Sequence, residues 1–127
     1  MRRFALLALA PLATALCLPS TAALAHTRLV SSAPAANASQ SNVTRMTLTF
    51  SADIVGALSG VELTMTAMPG MANHDPMPIT GFTTRANGRV LTVTMPRALP
   101  RGTYLMEWHV VAADQHRMEG NYTFTVR

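Results

Sequence analysis

Apolar and polar residues alternate along five separate segments of this 127-residue chain. Every second residue is apolar in each segment, as in a β-strand with one buried face, because successive strand side chains point to opposite sides of the sheet. The predicted buried rows are Met46, Leu48, Phe50; Val61, Leu63, Met65; Leu91, Val93, Met95; Tyr104, Met106, Trp108, Val110; and Tyr122, Phe124, Val126. No long window after residue 25 keeps the apolar repeat of a helix. The pattern therefore predicts an all-β fold.

Two shorter segments, Arg28 to Ser32 and Ile79 to Thr84, are further strand candidates. Asn87-Gly88 separates two of the predicted strands and is typical of a hairpin turn, because both residue types tolerate positive φ. Seven or so strands without a helix favour a seven-stranded Greek-key β-sandwich, immunoglobulin-like or cupredoxin-like, with a small barrel as the alternative. Trp108 is expected between the two sheets of that sandwich.

The first 25 residues form a secretory signal peptide pattern. Met1-Arg2-Arg3 supplies a positive start, an apolar run extends from Ala5 to Leu18, and Ala23-Leu24-Ala25 provides small residues for cleavage. Cleavage after Ala25 would leave a single domain, residues 26–127, that begins at His26. No later stretch approaches the roughly 20 apolar residues of a membrane helix, so we expect no membrane insertion after cleavage.

Cysteine content and charge exclude several classes of site. Cys17 is the single cysteine and lies inside the predicted signal peptide, so the mature domain would have neither a disulfide nor a thiolate metal site. Loss of Arg2 and Arg3 leaves eight arginines against six acidic residues. Because this excess is small and no basic run occurs, we expect no nucleic-acid partner.

A methionine-rich segment is the first candidate metal site. Four methionines and one histidine fall between residues 65 and 77, namely Met65, Met68, Met71, His74 and Met77. Prolines and a glycine interrupt this stretch, so one periodic core face does not explain it. Thioether and imidazole ligands together favour Cu(I). An adaptable contact surface or a loop-packing cluster is the alternative, and for Met65, which ends a predicted buried row, core packing is equally expected.

A second candidate site combines His26 with Asp114 and His116. A mature N-terminal histidine offers its α-amine and its ring to one ion, and the spacing of Asp114 and His116 places both side chains on one side of an extended segment. Two nitrogens from His26, one from His116 and an oxygen from Asp114 form a donor set suited to Cu(II). The alternatives are a structural Asp–His pair and a histidine that merely follows a cleavage site.

Three other polar strand residues have simpler interpretations. His109 shares a strand face with Glu107, opposite Trp108, and we expect a surface or sheet-edge histidine, because lone strand histidines are usually structural. Glu62 and Glu107 are expected to be solvated.

Taken together, these segments resemble the CopC-type periplasmic copper-resistance proteins across residues 26–127. The resemblance is carried by the start His26-Thr-Arg-Leu-Val-Ser-Ser-Ala-Pro34, by Phe50-Ser51, by the methionine-rich segment, by Gly102-Thr-Tyr104, by Trp108-His-Val-Val111, and by the stretch from Asp114-Gln-His116 to Val126. It implies a Cu(II) site at His26, Asp114 and His116. It also implies a Cu(I) site at His74 with several of Met65, Met68, Met71 and Met77.

The resemblance implies a periplasmic copper carrier of copper resistance and homeostasis that is not an enzyme. Copper ions are its expected cargo, a membrane copper transporter or a periplasmic copper oxidase is its expected partner, and we expect a monomer. One alternative is a copper monooxygenase, because such enzymes also use an N-terminal histidine chelate. Three features argue against it: the chain is small, it lacks a substrate platform rich in exposed aromatics, and Asp114 would occupy a coordination position that oxygen chemistry needs open. The other alternative is an immunoglobulin-like interaction module without metal.

Overall fold

The computed structural model describes residues 26–72 and 74–127. The predicted signal peptide and its cleavage after Ala25 fall outside these residues. The described residues form two β-sheets, and apart from one 3₁₀ turn at Gly56–Leu58 they contain no helix. The prediction of an all-β sandwich is confirmed.

Nine strands make up the two sheets. The four-stranded sheet has, in spatial order, β1 (Leu29–Ala33), β3 (Arg45–Phe50), β7 (Val90–Thr94) and β6 (Thr83–Asn87). The five-stranded sheet has β2 (Ser39–Gln40), β9 (Arg117–Val126), β8 (Gly102–Val111), β4 (Gly60–Ala67) and β5 (Met77–Ile79). All neighbours are antiparallel except β2 and β9. The count exceeds seven because β2 and β5 are pieces of two and three residues.

The core lies between the sheets and contains every residue of the five predicted buried rows. Burial of each large apolar side chain contributes about 1.5–3 kcal/mol before the entropic cost of ordering. The rings of Phe50 on β3 and Trp108 on β8 meet edge to face with centroids 5.1 Å apart, which joins the two sheets as expected for Trp108. The period-two repeat thus identified the buried faces correctly.

Gly120 on β9 makes room for Trp108. The two residues are directly paired across β8 and β9, and a Cβ added at Gly120 would lie 2.5 Å from Cζ2 of Trp108. Real side-chain atoms do not approach so closely, because cores are already packed to crystal-like density. Any larger residue at position 120 would therefore displace the indole.

Two local predictions need correction. Ile79 to Thr84 is not one strand, because Ile79 pairs with Leu63 in the five-stranded sheet whereas Thr83 pairs with Thr94 in the other. Gly81, at φ +84°, lies where the chain crosses between the sheets. The β6–β7 hairpin exists, but its turn is Gly88-Arg89, because Asn87 still pairs with Val90 and only Gly88 takes a positive φ.

Strand β8 spans the length of the sandwich. Thr103 near its start pairs with Ala67, where β4 leads into the methionine loop (residues 68–76), and Val111 at its end pairs with Arg117, beyond the β8–β9 turn (residues 112–116). Ten residues at about 3.3 Å each separate these ends by ~30 Å. The methionine loop and the β8–β9 turn, which contain candidate metal ligands, therefore lie at opposite ends of the sandwich. In the part of the chain that the structure describes, no helix is long and apolar enough to cross a membrane.

Candidate metal centres

His26 and His116 lie together at one end of the sandwich. His26 precedes β1 and His116 ends the β8–β9 turn, and their ring centroids are 6.4 Å apart with perpendicular planes. Metal–imidazole bonds are only ~2 Å long, so small side-chain rotations would let both rings reach one ion. The structure thus brings together two residues whose proximity the sequence left open.

The β8–β9 turn positions Asp114 against His116. Gln115 has φ +72°, and hydrogen bonds join Gln115 N–H to the Ala112 carbonyl and Ala112 N–H to the His116 carbonyl, both at 2.9 Å. In this tight turn, Asp114 Oδ1 accepts the backbone N–H of His116 at 3.1 Å, and Oδ2 lies 2.9 Å from Nδ1 of the same residue. Both carboxylate oxygens therefore contact His116.

The Asp114–His116 contact has two chemical consequences. The hydrogen bond from the His116 ring, followed by the one from its backbone N–H, lowers the pKa of Asp114, so the carboxylate stays ionised in mildly acidic solution. A ring whose Nδ1–H is held by a carboxylate presents Nε2 as its free lone pair, which is how metal-binding histidines are commonly oriented. A carboxylate has about four lone-pair sites, so Asp114 retains acceptor capacity for a cation.

His74 is the most unusual polar residue at the other end. Its Nδ1 lies 2.6 Å from the carbonyl oxygen of Asp75, and since a carbonyl only accepts, Nδ1 carries the proton. In the neutral ring, Nε2 is then the acceptor; it is buried and has no hydrogen-bond partner among the described residues. A buried polar atom left in this way costs about 1–3 kcal/mol. An unprotonated and unpaired imidazole nitrogen suits metal ligation.

The methionines near His74 fall into two groups. Met71 and Met77 are 55% and 47% exposed, and Met68 is partly buried against the core. Met68 and Met71 exchange backbone hydrogen bonds of 3.3 and 3.0 Å around Gly70, which forms a narrow loop. Met65 differs, because it is only 3% exposed and would touch a Cβ at Gly102 with its own Cε at 3.3 Å. Its position favours core packing, which the sequence predicted as strongly as copper ligation for this residue.

Within residues 26–72 and 74–127, no three His, Cys, Asp or Glu side chains are close enough together to hold a metal ion. His26, Asp114 and His116 therefore do not form such a group as their side chains stand, and binding one ion would require the side-chain rotations noted above together with the α-amine that cleavage would release. At the His74 end, the additional donors are methionine thioethers, which are not among these four side-chain types. Both arrangements fit soft or borderline ions better than carboxylate-bound Ca²⁺ or Mg²⁺.

The outer face of the five-stranded sheet carries the other polar residues considered in the sequence. Glu62 and Glu107 are directly paired and exposed, as predicted. His109 is half-buried on the same face of the central strand β8, not at a sheet edge. Its ring lies above Gly60, where an added Cβ would meet Cε1 at 3.2 Å, so it packs as a surface residue.

Sequence reasoning missed Ser51 and Thr27. Thr27 is only 4% exposed although polar, and Ser51 Oγ accepts the backbone N–H of Arg28 at 3.0 Å. Neither residue has a pattern of its own, and the only available signal was their adjacency to His26 and to the Phe50 strand end.

Comparison with known proteins gives a consistent family assignment. A family model described as the CopC domain matches residues 29–127. The chain is 41% identical to Copper resistance protein C of Escherichia coli (83% of this chain and 84% of the relative) and 40% identical to that of Xanthomonas campestris pv. juglandis (87% of each).

Solved structures agree with the sequence relatives. A crystal structure of PcoC, a methionine rich copper resistance protein from Escherichia coli, is 36% identical with a TM-score of 0.71, covering 81% of this chain and all of the other. A crystal structure of CopC from Methylosinus trichosporium OB3b is 27% identical with a TM-score of 0.64, covering 80% of this chain and 93% of the other.

Proposed function

The chain belongs to the CopC family, and from this premise we propose that it is a periplasmic copper-binding protein of copper resistance, which carries copper rather than catalysing a reaction. The relatives bear the name copper resistance protein at about 40% identity over most of the chain. Export by the predicted signal peptide would bring the domain to the periplasm and start it at His26.

The observation that carries the proposal is the approach of His26 to the Asp114–His116 pair. The α-amine and ring of His26, Nε2 of His116 and an oxygen of Asp114 would form the Cu(II) site. Nitrogen and oxygen donors of this kind suit the tetragonal geometry of Cu(II). The 6.4 Å ring separation and the hydrogen bonds between Asp114 and His116 support this assignment.

A second site for Cu(I) would use Nε2 of His74 with the sulfurs of Met68, Met71 and Met77. The unpartnered Nε2 supports the histidine, the exposure of Met71 and Met77 supports their thioethers, and backbone hydrogen bonds hold Met68 beside Met71. We assign Met65 to the core rather than to the ion, because its side chain is enclosed. Thioethers are soft ligands and select Cu(I).

Two sites of different softness would let one protein accept copper in either oxidation state. The carrier would then hand the ion to a membrane copper transporter or to a periplasmic copper oxidase. Such a transfer needs ligands that a partner can reach, and His26, Met71 and Met77 are all exposed.

The decisive experiment separates the two oxidation states. The exported protein is compared with a His26→Ala variant and with a form carrying two extra residues before His26, each titrated with Cu(II) in air and with Cu(I) under reducing, anaerobic conditions. We expect both changes to weaken Cu(II) binding and to leave Cu(I) binding intact, because only the first site uses the N-terminal chelate. Unchanged Cu(II) binding in both forms would refute the N-terminal site, and absence of copper from the unmodified protein would refute the function.

A further inference from the structure

Residues 51–55, between β3 and β4, make hydrogen bonds to both chain segments that carry the His26–His116 pair. Ser51 Oγ accepts the backbone N–H of Arg28 at 3.0 Å, and Ser51 N–H donates to the Arg28 carbonyl at 2.9 Å. Two residues further on, the Asp53 carbonyl accepts the backbone N–H of Ala113 at 3.1 Å. Residues 51–55 therefore hydrogen-bond to Arg28, near His26, and to Ala113, near His116.

On the His26 side, this reciprocal pair of hydrogen bonds leaves little freedom to the N-terminal residues. Arg28 is fixed to Ser51 immediately before β1 begins at Leu29. Thr27 is buried at 4% exposure, whereas His26 is exposed. A single residue thus projects beyond the anchored chain, so its position follows from where Ser51 holds Arg28.

On the other side, the contacts belong to the base of the β8–β9 turn. Ile54 forms an isolated antiparallel bridge with Ala112, and both residues are buried. Val55 N–H donates to the Val111 carbonyl at 2.8 Å. Asp114 and His116 follow directly, so residues 53–55 fix the place from which the turn rises.

We propose that residues 51–55 act as a bracket that sets the separation of His26 from His116, and that Ser51 is the positioning residue for His26. The inference rests on the function proposed above for these two histidines. The bracket spans the two sheets, because residues 51–55 follow Phe50 of the four-stranded sheet and Val55 hydrogen-bonds to Val111 at the end of β8 in the five-stranded sheet. Preorganisation of this kind raises affinity by removing the ordering cost that a loose terminus would otherwise bear on binding.

The test compares Ser51→Ala with Ser51→Thr in the protein that begins at His26. The first readout is the nuclear Overhauser effect between the two histidine rings in the metal-free protein, and the second is the Cu(II) electron paramagnetic resonance spectrum with the Cu(II) dissociation constant. Ser51→Ala removes the Oγ bond and keeps the backbone bond to the Arg28 carbonyl, so we expect it to weaken the ring–ring signal, to change the nitrogen hyperfine pattern and to weaken Cu(II) binding by about tenfold. Ser51→Thr, which keeps the hydroxyl, should restore all three.

Thr66→Val is the matched control. Thr66 Oγ1 donates to the Thr103 carbonyl at 3.3 Å near the methionine loop, at the other end of the sandwich from the bracket. The substitution removes a side-chain hydroxyl of the same kind and should leave the ring–ring signal and the spectrum unchanged. Retention of both in Ser51→Ala, or failure of Ser51→Thr to restore them, would overturn the proposal.

One further variant keeps the proposal falsifiable if Ser51→Ala does not fold. A glycine inserted between His26 and Thr27 leaves the bracket intact and moves only the histidine, so the ring–ring signal should disappear. Its persistence would overturn the proposal. This signal is measured without copper, so the bracket can be refuted independently of the copper function. The copper function would be refuted by the absence of nitrogen-coordinated Cu(II) from the unmodified protein.

Discussion

His26 lies before the first strand, β1, and His116 lies directly before the last strand, β9, yet their rings are perpendicular with centroids 6.4 Å apart. This proximity arises from tertiary structure, since His26 precedes a strand of the four-stranded sheet and His116 precedes a strand of the five-stranded sheet. The proposed Cu(II) site consequently depends on the intact sandwich.

Asp114→Asn should weaken Cu(II) binding without affecting Cu(I). Asparagine has one acceptor oxygen instead of two, so while that oxygen accepts the His116 backbone N–H, the amide NH2 faces the Nδ1–H donor and the ring loses its orientation. Loss of such a supporting carboxylate typically costs about 10–100-fold in metal affinity. Asp53→Asn is the matched control, because Asp53 lies in the bracket but contacts Arg89, with 3.8 Å between Oδ1 and Nε. Equal Cu(II) affinities for the two variants would contradict the role of Asp114.

Met65→Leu and Met71→Leu should have opposite effects. Leucine at the buried position 65 changes the free energy of unfolding by less than about 1.5 kcal/mol and should leave Cu(I) affinity unchanged. Leucine at the exposed position 71 removes a soft donor and should weaken Cu(I) binding by at least about tenfold, with no change in thermal stability. Competition titrations with a Cu(I) chelator would measure the affinities, and thermal melts would measure the stabilities. If Met65→Leu lowered Cu(I) affinity more than Met71→Leu, Met65 would be a ligand of the site.

Gly120→Ala should destabilise the fold. Its Cβ would lie 2.5 Å from Trp108 Cζ2, and overpacking of this kind costs about 1–3 kcal/mol. At about 4–8 °C per kcal/mol for a domain of this size, the midpoint of thermal unfolding should fall clearly, with a shift in tryptophan fluorescence. Gly60→Ala is the control, because its Cβ meets only the movable ring of His109 at 3.2 Å. Similar melting temperatures for both variants would contradict the indole contact.

Both tyrosines should resist ionisation while the protein stays folded. Burial raises the pKa of Tyr104 to about 12 and also raises the pKa of Tyr122. The unfolded chain loses its phenolic protons near pH 10, so the stability that these groups contribute is full below pH 10 and is lost as the pH rises towards 12. Absorbance at 295 nm and circular dichroism should therefore change together. Phenolate formation near pH 10 with an unchanged dichroism spectrum would be the contrary result, and a Tyr122→Phe variant isolates Tyr104.

The strands and their buried faces were predictable because burial on one side of a sheet repeats along the chain every two residues. Met46, Leu48 and Phe50 needed no tertiary information to be assigned to one face. The crossing at Gly81 was not predictable in this way, because Ile79 and Thr83 are both compatible with a strand and only long-range pairing assigns them to different sheets.

The candidate donors were likewise predictable as residue types but not as a geometry. His74 was identified by its methionine neighbours, whereas the unpartnered Nε2 follows from how the loop folds. Ser51 was visible in the sequence only as part of the Phe50-Ser51 strand end, because its positioning contacts are two hydrogen bonds with Arg28 that only the folded structure shows.

The length of β8 limits how copper could move through this protein. An ion held at the methionine loop is ~30 Å from the His26 end, and the core between the two ends is apolar. Oxidation at one end therefore cannot simply relay the metal to the other. Each end would load and unload on its own, and any exchange between them would pass through a second molecule or through the surrounding solution.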